Sequence, residues 1–189
     1  LVVVALVLAL DVDYADYRAG TELIAFWLGP ATVALAIPLH RNVRRLQGLV
    51  VPMLVAIAIG ALVSILSAWG LVLLTGGGEE LARTMSTKST TTPVSIALSE
   101  TIDGIPALSA VFSVIAGILG AVAGPTVLSW LRIREPRARG LALGSVSHGI
   151  GTSRALHESE TEGAFSGLAM GLTALATSLW LPLVLLVLA

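Results

Sequence analysis

Two short stretches carry the residue types best suited to chemistry. The first is Lys88-Ser89-Thr90-Thr91-Thr92-Pro93-Val94-Ser95, a lysine followed by four hydroxyl side chains and a proline. Proline has no N–H to donate and fits the first turn of a helix, and a threonine just before it can cap that helix. The stretch therefore predicts the start of a half-helix, whose free N–H groups and positive dipole end attract an anion. The second stretch is Ser145-Val146-Ser147-His148-Gly149-Ile150-Gly151-Thr152-Ser153-Arg154. Its paired glycines permit a backbone turn that other residues resist. Thr152 or Ser153 then caps a following helix, with Arg154 in its first turn and His148 just before the break. The planar fork of an arginine suits a carboxylate, and a histidine takes up a proton near neutral pH. The candidate binding set is Thr91, Thr92, Pro93, Ser95, His148, Gly149, Gly151, Thr152, Ser153 and Arg154, with Lys88, Glu100 and Glu158 as candidates for ion coupling. Plainer alternatives stand beside these: a polar surface loop, an arginine snorkelling to headgroups, and solvated carboxylates at segment ends.

The elements that position these residues belong in a bilayer. Hydrophobic residues make up 56% of the 189 and charged residues 12%, and mean hydropathy is +0.92. A soluble domain carries about a quarter charged residues, and this chain is too small to hide so much apolar surface. Three uncharged runs, Leu49 to Leu74, Ile105 to Leu131 and Gly163 to Ala189, reach the roughly 20 residues of a spanning helix, and Leu23 to Leu39 is adequate. Leu1 to Leu10 reads as the tail of a membrane helix whose start is missing, since no methionine or basic region precedes it. The stretches Leu81 to Asp103 and Gly140 to Glu160 hold more Gly, Ser, Thr and charge, and they predict broken or re-entrant segments.

Charge sets the topology. Arg41, Arg44 and Arg45 form one basic cluster, and Arg132, Arg134, Arg137 and Arg139 another; both belong on the cytoplasmic side. Between them Leu49 to Leu74 leads out and Ile105 to Leu131 leads back, so Leu81 to Asp103 must enter and leave from the outer side. Gly140 to Glu160 then enters from the cytoplasm. The segment around Ala97-Leu98-Ser99-Glu100 aligns with that around Ala155-Leu156-His157-Glu158, and a long apolar helix follows each. Two such units facing opposite ways form an inverted repeat, the architecture of many secondary transporters. The expected fold is an all-α polytopic membrane protein with inverted repeats and two discontinuous or re-entrant segments. Residues 1–80 form an N-terminal scaffold, and residues 81–189 a transport core of two units, 81–131 and 140–189. Glycine stripes at Gly117, Gly120 and Gly124 and at Gly163, Gly167 and Gly171 suit close helix packing. Trp27, Trp69, Trp130 and Trp180 suit interfacial anchoring.

Several classes find no support. Net charge is -1, which gives nucleic acid no basic surface. Cysteine is absent, and no P-loop, metal-ligand cluster or nucleophile–base pair occurs, so neither an enzyme nor a cofactor is expected.

Four motifs, in order, resemble the LrgB/CidB family. They are Leu28-Gly29-Pro30-Ala31-Thr32 through Pro38-Leu39; Lys88-Ser89 with Thr91-Thr92-Pro93; Gly140-Leu141-Ala142-Leu143-Gly144 with Ser147-His148-Gly149-Ile150-Gly151-Thr152; and Glu162-Gly163-Ala164-Phe165-Ser166-Gly167-Leu168. The resemblance covers nearly everything after Leu23. It implies a multi-pass protein of the bacterial inner membrane, called antiholin-like and tied to murein hydrolase control and cell lysis. It also implies carriers of small carboxylates: pyruvate in bacteria, glycolate and glycerate in the plastid envelope. An LrgA/CidA-type membrane partner is implied as well. Two functions follow. One is a secondary transporter of small monocarboxylates coupled to protons or sodium, with a dimer plausible by analogy. The other is an antiholin-like regulator that oligomerises with a pore-forming partner.

Overall fold

The structure is a computed structural model that describes residues 2–13, 16–17, 19–23, 26–27 and 48–188. Most of the expected Leu23 to Leu39 helix, its Gly29-Pro30 motif and the Arg41, Arg44, Arg45 cluster lie outside the described residues. The chain divides into two compact units, Leu1–Ile37 and Pro38–Ala189. In the first, α1 (Val2–Ala9) is wholly apolar.

In the second unit the three long apolar runs form α2 (Val50–Leu74), α5 (Pro106–Trp130) and α7 (Glu160–Leu188), each long and apolar enough to cross a membrane. At 25 residues, α2 and α5 are each about 37 Å long, more than a hydrocarbon core needs. Large side chains such as Val63, Leu119, Val122 and Leu179 stay exposed along them, while serines and threonines fill the interior. That inversion of the soluble pattern fits lipid as the outer solvent. The chain is thus an all-helical, multi-pass membrane protein, with no strand among the described residues.

Between α2 and α5 lie α3 (Glu79–Ser86) and α4 (Thr92–Thr101), which replace the weak stretch expected from Leu81 to Asp103. They form an antiparallel hairpin. Thr87 Oγ1 meets Ser95 Oγ at 2.5 Å near the tip, and Ile105 N–H donates to Thr84 Oγ1 at 2.9 Å near the base. The ends of α2, α4 and α5 share one construction. Residues Gly76 (φ 84), Asp103 (φ 55) and Arg132 (φ 60) are left-handed, and the next N–H reaches back to Val72, Ser99 and Leu128 carbonyls. This is the Schellman stop, and only at Gly76 does it use the residue that adopts it without penalty.

The next element, α6 (Pro136–Glu158), consists of two helical arms that abut at a break at His148, with φ 40 and ψ -128. A straight helix would separate Leu143 and Gly151 by about 12 Å. Instead a Cβ on Gly151 would stand 2.7 Å from the Leu143 carbonyl oxygen, so the chain doubles back. The result is a second hairpin, with arms 136–147 and 149–158. One residue, Ser159, joins it to α7. Its Oγ accepts the Glu162 N–H at 3.1 Å, the first half of a capping box.

The close contacts give helix directions. Gly117, Gly120 and Gly124 of α5 meet His148, Ser147 and Leu143 in descending order, so α5 and the first arm of α6 are antiparallel. Gly140 and Gly144 meet Glu162 and Ser166 in ascending order, so that arm runs parallel to α7. Hence α5 opposes α7, and each hairpin-plus-helix unit is inverted relative to the other. Met53 and Ile57 pack with Phe165 and Ala169, and Ile65 with Leu181 and Val184, so α2 runs with α7. The alternation of α2, α5 and α7 matches the alternation read from charge.

Two expectations are corrected. The close crossing of the first arm with α7 uses Gly140 and Gly144; in the stripe on α7 itself, Gly163 closes on Leu156 of the returning arm, whereas a Cβ at Gly171 would meet nothing within 4 Å. Trp69 is buried rather than interfacial, whereas Trp130 is exposed.

Candidate functional site

Helix α5 is the spine against which both hairpins rest. Its buried face repeats every fourth residue through Ser109, Ser113, Gly117 and Ala121. Ser95 of α4 donates its hydroxyl to the Ser109 carbonyl at 3.3 Å. One turn further along, His148 Nε2–H donates to the Ser113 carbonyl at 2.8 Å, which fixes the tautomer. The ring lies over Gly117, where a Cβ would come within 2.7 Å of its Cε1. Because α4 and α5 are antiparallel, the turn at Thr91 lies one turn beyond Ser95, at the height of Ser113. The tips of the two hairpins therefore reach the same height on α5 from opposite sides.

At that height the interior is polar. Thr152 Oγ1 donates to the His148 carbonyl at 2.8 Å and meets Ser166 Oγ at 3.0 Å. Ser113 Oγ and Ser147 Oγ are buried with no hydrogen-bond partner. Both flank His148, and buried hydroxyls of this kind are rare enough to call for an occupant. On the other side of the first hairpin, Lys88 Nζ donates to Ser64 Oγ at 2.9 Å, and that oxygen also meets Ser89 Oγ at 2.7 Å.

The helix starts differ from expectation. Thr91 occupies the cap position of α4, in extended conformation, but its side chain makes no capping bond; Thr92 and Pro93 open the helix. Neither Thr152 nor Ser153 caps the returning arm. The reversal occurs at His148, so Gly149, Ile150 and Gly151 already form the first turn and Thr152 lies within the arm.

The two hairpins bring Thr91, Thr92, Ser95, His148, Gly149, Gly151 and Thr152 to one level. Arg154 is not among them. It pairs with Glu158 one turn on at 2.5 Å and remains two-fifths exposed. Ser153 faces outward beside it, and Glu100 is exposed. The reason is helical phase: residues 148, 152 and 155 face the core, which turns 153 and 154 away.

Each hairpin base carries an arginine clamp that sequence reading missed. Arg83 binds Glu79, Asp103 and the Ile102 carbonyl. Arg139 binds Glu162 at 3.3 Å, the Ile133 carbonyl at 3.1 Å and Ser129 Oγ at 3.3 Å. In the sequence Arg139 reads as topogenic charge, and the Ser-x-x-Glu spacing of Ser159 and Glu162 is a signal for a helix start close by, not for the pairing. No group of His, Asp and Glu suited to a metal occurs among the described residues.

No solved structure matches the chain. Among curated proteins it is similar to two Bacillus subtilis proteins. The uncharacterized protein YwbG is 38% identical over 93% of this chain and 78% of its own length, and the uncharacterized protein YxaC is 37% identical over 97% and 80%. An antiholin-like protein LrgB of Bacillus mycoides is 29% identical over 90% of this chain and 74% of its own. The motifs that line the two hairpins and the match of residues 1–187 to a single family model agree: the chain belongs to the LrgB-like family.

Proposed function

We propose that the chain is a secondary transporter of small monocarboxylates such as pyruvate, glycolate or glycerate. The observation that carries this reading is the meeting of two oppositely directed hairpins at one height on α5. Helix starts at Thr92 and Gly149 bring first-turn N–H groups, which lack intrahelical partners, to that level from both sides, a donor set for one carboxylate. Thr91, Thr92, Ser95 and Thr152 supply hydroxyls, and His148 shapes the floor. Binding at the interface of inverted units is the arrangement alternating access requires. The hairpin units move against residues 1–80, in a dimer, with a proton or sodium ion as the coupling species and an LrgA/CidA-like membrane partner.

A second reading is favoured by the printed name of the Bacillus mycoides relative: an antiholin-like regulator acting through oligomerisation. Gly120 is not available to it, being packed under Ser147, but Gly171 is open.

One experiment separates them. Thermal unfolding of the purified protein is followed with pyruvate, glycolate, glycerate and lactate, beside Thr152→Val and Arg154→Ala. Saturable stabilisation is expected, about 2.7 kcal/mol at a hundredfold excess over Kd. Thr152→Val should lose it and Arg154→Ala should keep it. No stabilisation by any of the four acids transfers the assignment to the regulator.

A further inference from the structure

With Arg154 paired to Glu158, a carboxylate held between the hairpin tips lacks a counter-charge. We propose that Lys88 supplies it and limits the cargo to singly charged anions; the inference rests on the transport reading above. Among the described residues of the second unit, no carboxylate forms an ion pair with Lys88. Its ammonium is half-buried and bonded to Ser64 alone, through the hydroxyl and, at 3.4 Å, the carbonyl. Ser64 stands ten residues from the end of α2, a depth of about 15 Å, midway across a hydrocarbon core. An amine tethered there does not snorkel to phosphate headgroups. A cation at that depth without an anion is costly, and natural proteins reserve such residues for transport paths and ligand counter-ions. Both neighbours of Lys88 in the tip are polar, and the extended residue Thr91 follows three positions on, so the backbone of Lys88 and the uncapped start of α4 belong to one turn. Three further arginines are engaged: Arg83 and Arg139 at the hairpin bases, Arg137 with Glu135. One free positive charge at the tip matches one carboxylate and disfavours two.

The test compares L-lactate with its neutral isostere lactamide by calorimetry on the purified full chain. The wild type should prefer lactate, and Lys88→Gln should weaken lactate by about tenfold or more, the worth of a charge-assisted hydrogen bond, and leave lactamide unchanged. Lys88→Arg should restore the preference in part. If the wild type binds lactate but Lys88→Gln keeps the preference, Lys88 is not the counter-charge and the transport reading stands. If the wild type binds none of the four acids, the transport reading fails and this inference falls with it. Where Lys88→Gln does not fold, Ser64→Ala is read instead. Freeing the ammonium from its serine should shift lactate affinity and not lactamide affinity, and an unchanged lactate affinity overturns the assignment.

Discussion

The residue that decides the second hairpin is His148, whose φ of 40 is unusual for a side chain with a Cβ. Sequence reading placed the turn on Gly149 and Gly151, the residues that turn most freely. The structure uses Gly151 for contact instead, since a Cβ there would strike Ser147 Cβ at 2.5 Å as well as the Leu143 carbonyl. The histidine accepts the strained backbone because its ring is held by Ser113 and seated on Gly117. Glycine also decides the crossing of α6 with α7. A Cβ at Gly144 would lie 2.1 Å from the Ser166 carbonyl oxygen, which is backbone and has no room to yield. Gly144→Ala should therefore destabilise the protein by about 1–3 kcal/mol, seen as a lower thermal midpoint in detergent. Gly171→Ala, in open space, should be neutral or slightly stabilising. An equal effect of the two would show that the crossing tolerates separation. Which glycines of a stripe pack inward is not written in spacing alone: Gly163 is crowded by Leu156, while Gly171, on the same four-residue repeat, stands in open space.

At the scale of elements the long helices were the most legible. Three uncharged runs predicted α2, α5 and α7 to within three residues at each end, because continuous apolar length has one solution in lipid. The broken segments were legible as interruptions, but their internal geometry was not. Helical phase turned Arg154 outward, and nothing in its local sequence distinguished pairing with Glu158 from binding a ligand. The joint at Ser159 was also hidden, although its Ser159-Glu160-Thr161-Glu162 sequence has capping-box form. Here the reciprocal half is missing, because Glu162 turns to Arg139 and leaves Oε2 unpartnered. Ser159→Ala should cost about 1 kcal/mol through loss of the cap, and Ser159→Asp should restore most of it. Both are read from thermal midpoints against the wild type; a silent Ser159→Ala would mean that tertiary packing alone starts α7.

For the whole molecule, the order of directions makes a prediction about sides. The start of the first hairpin and the end of α4 lie on one side, and the α5–α6 link and the end of α6 on the other. The absence of cysteine gives a clean background. Single cysteines at Gly78→Cys and Glu100→Cys should react with an impermeant maleimide from outside intact cells, and Arg134→Cys and His157→Cys only in inverted vesicles. Opposite sidedness of positions 78 and 100 would mean that the first hairpin crosses the membrane.

The seam between the second hairpin and α7 limits how the molecule can work. Gly140 and Gly144 abut the α7 backbone, Arg139 is clamped to Glu162, and at that same end a single residue, Ser159, joins the returning arm to α7. A flap hinged on α7 is ruled out by such a weld, because no slack remains in which to swing. Any stroke must carry hairpin and helix together as one piston. The play then falls to the links at 75–78 and 131–135, each with a left-handed residue, Gly76 or Arg132, at its second position. A spin label on Gly149 and one on Leu175 should keep a single sharp separation whatever the state of the cycle.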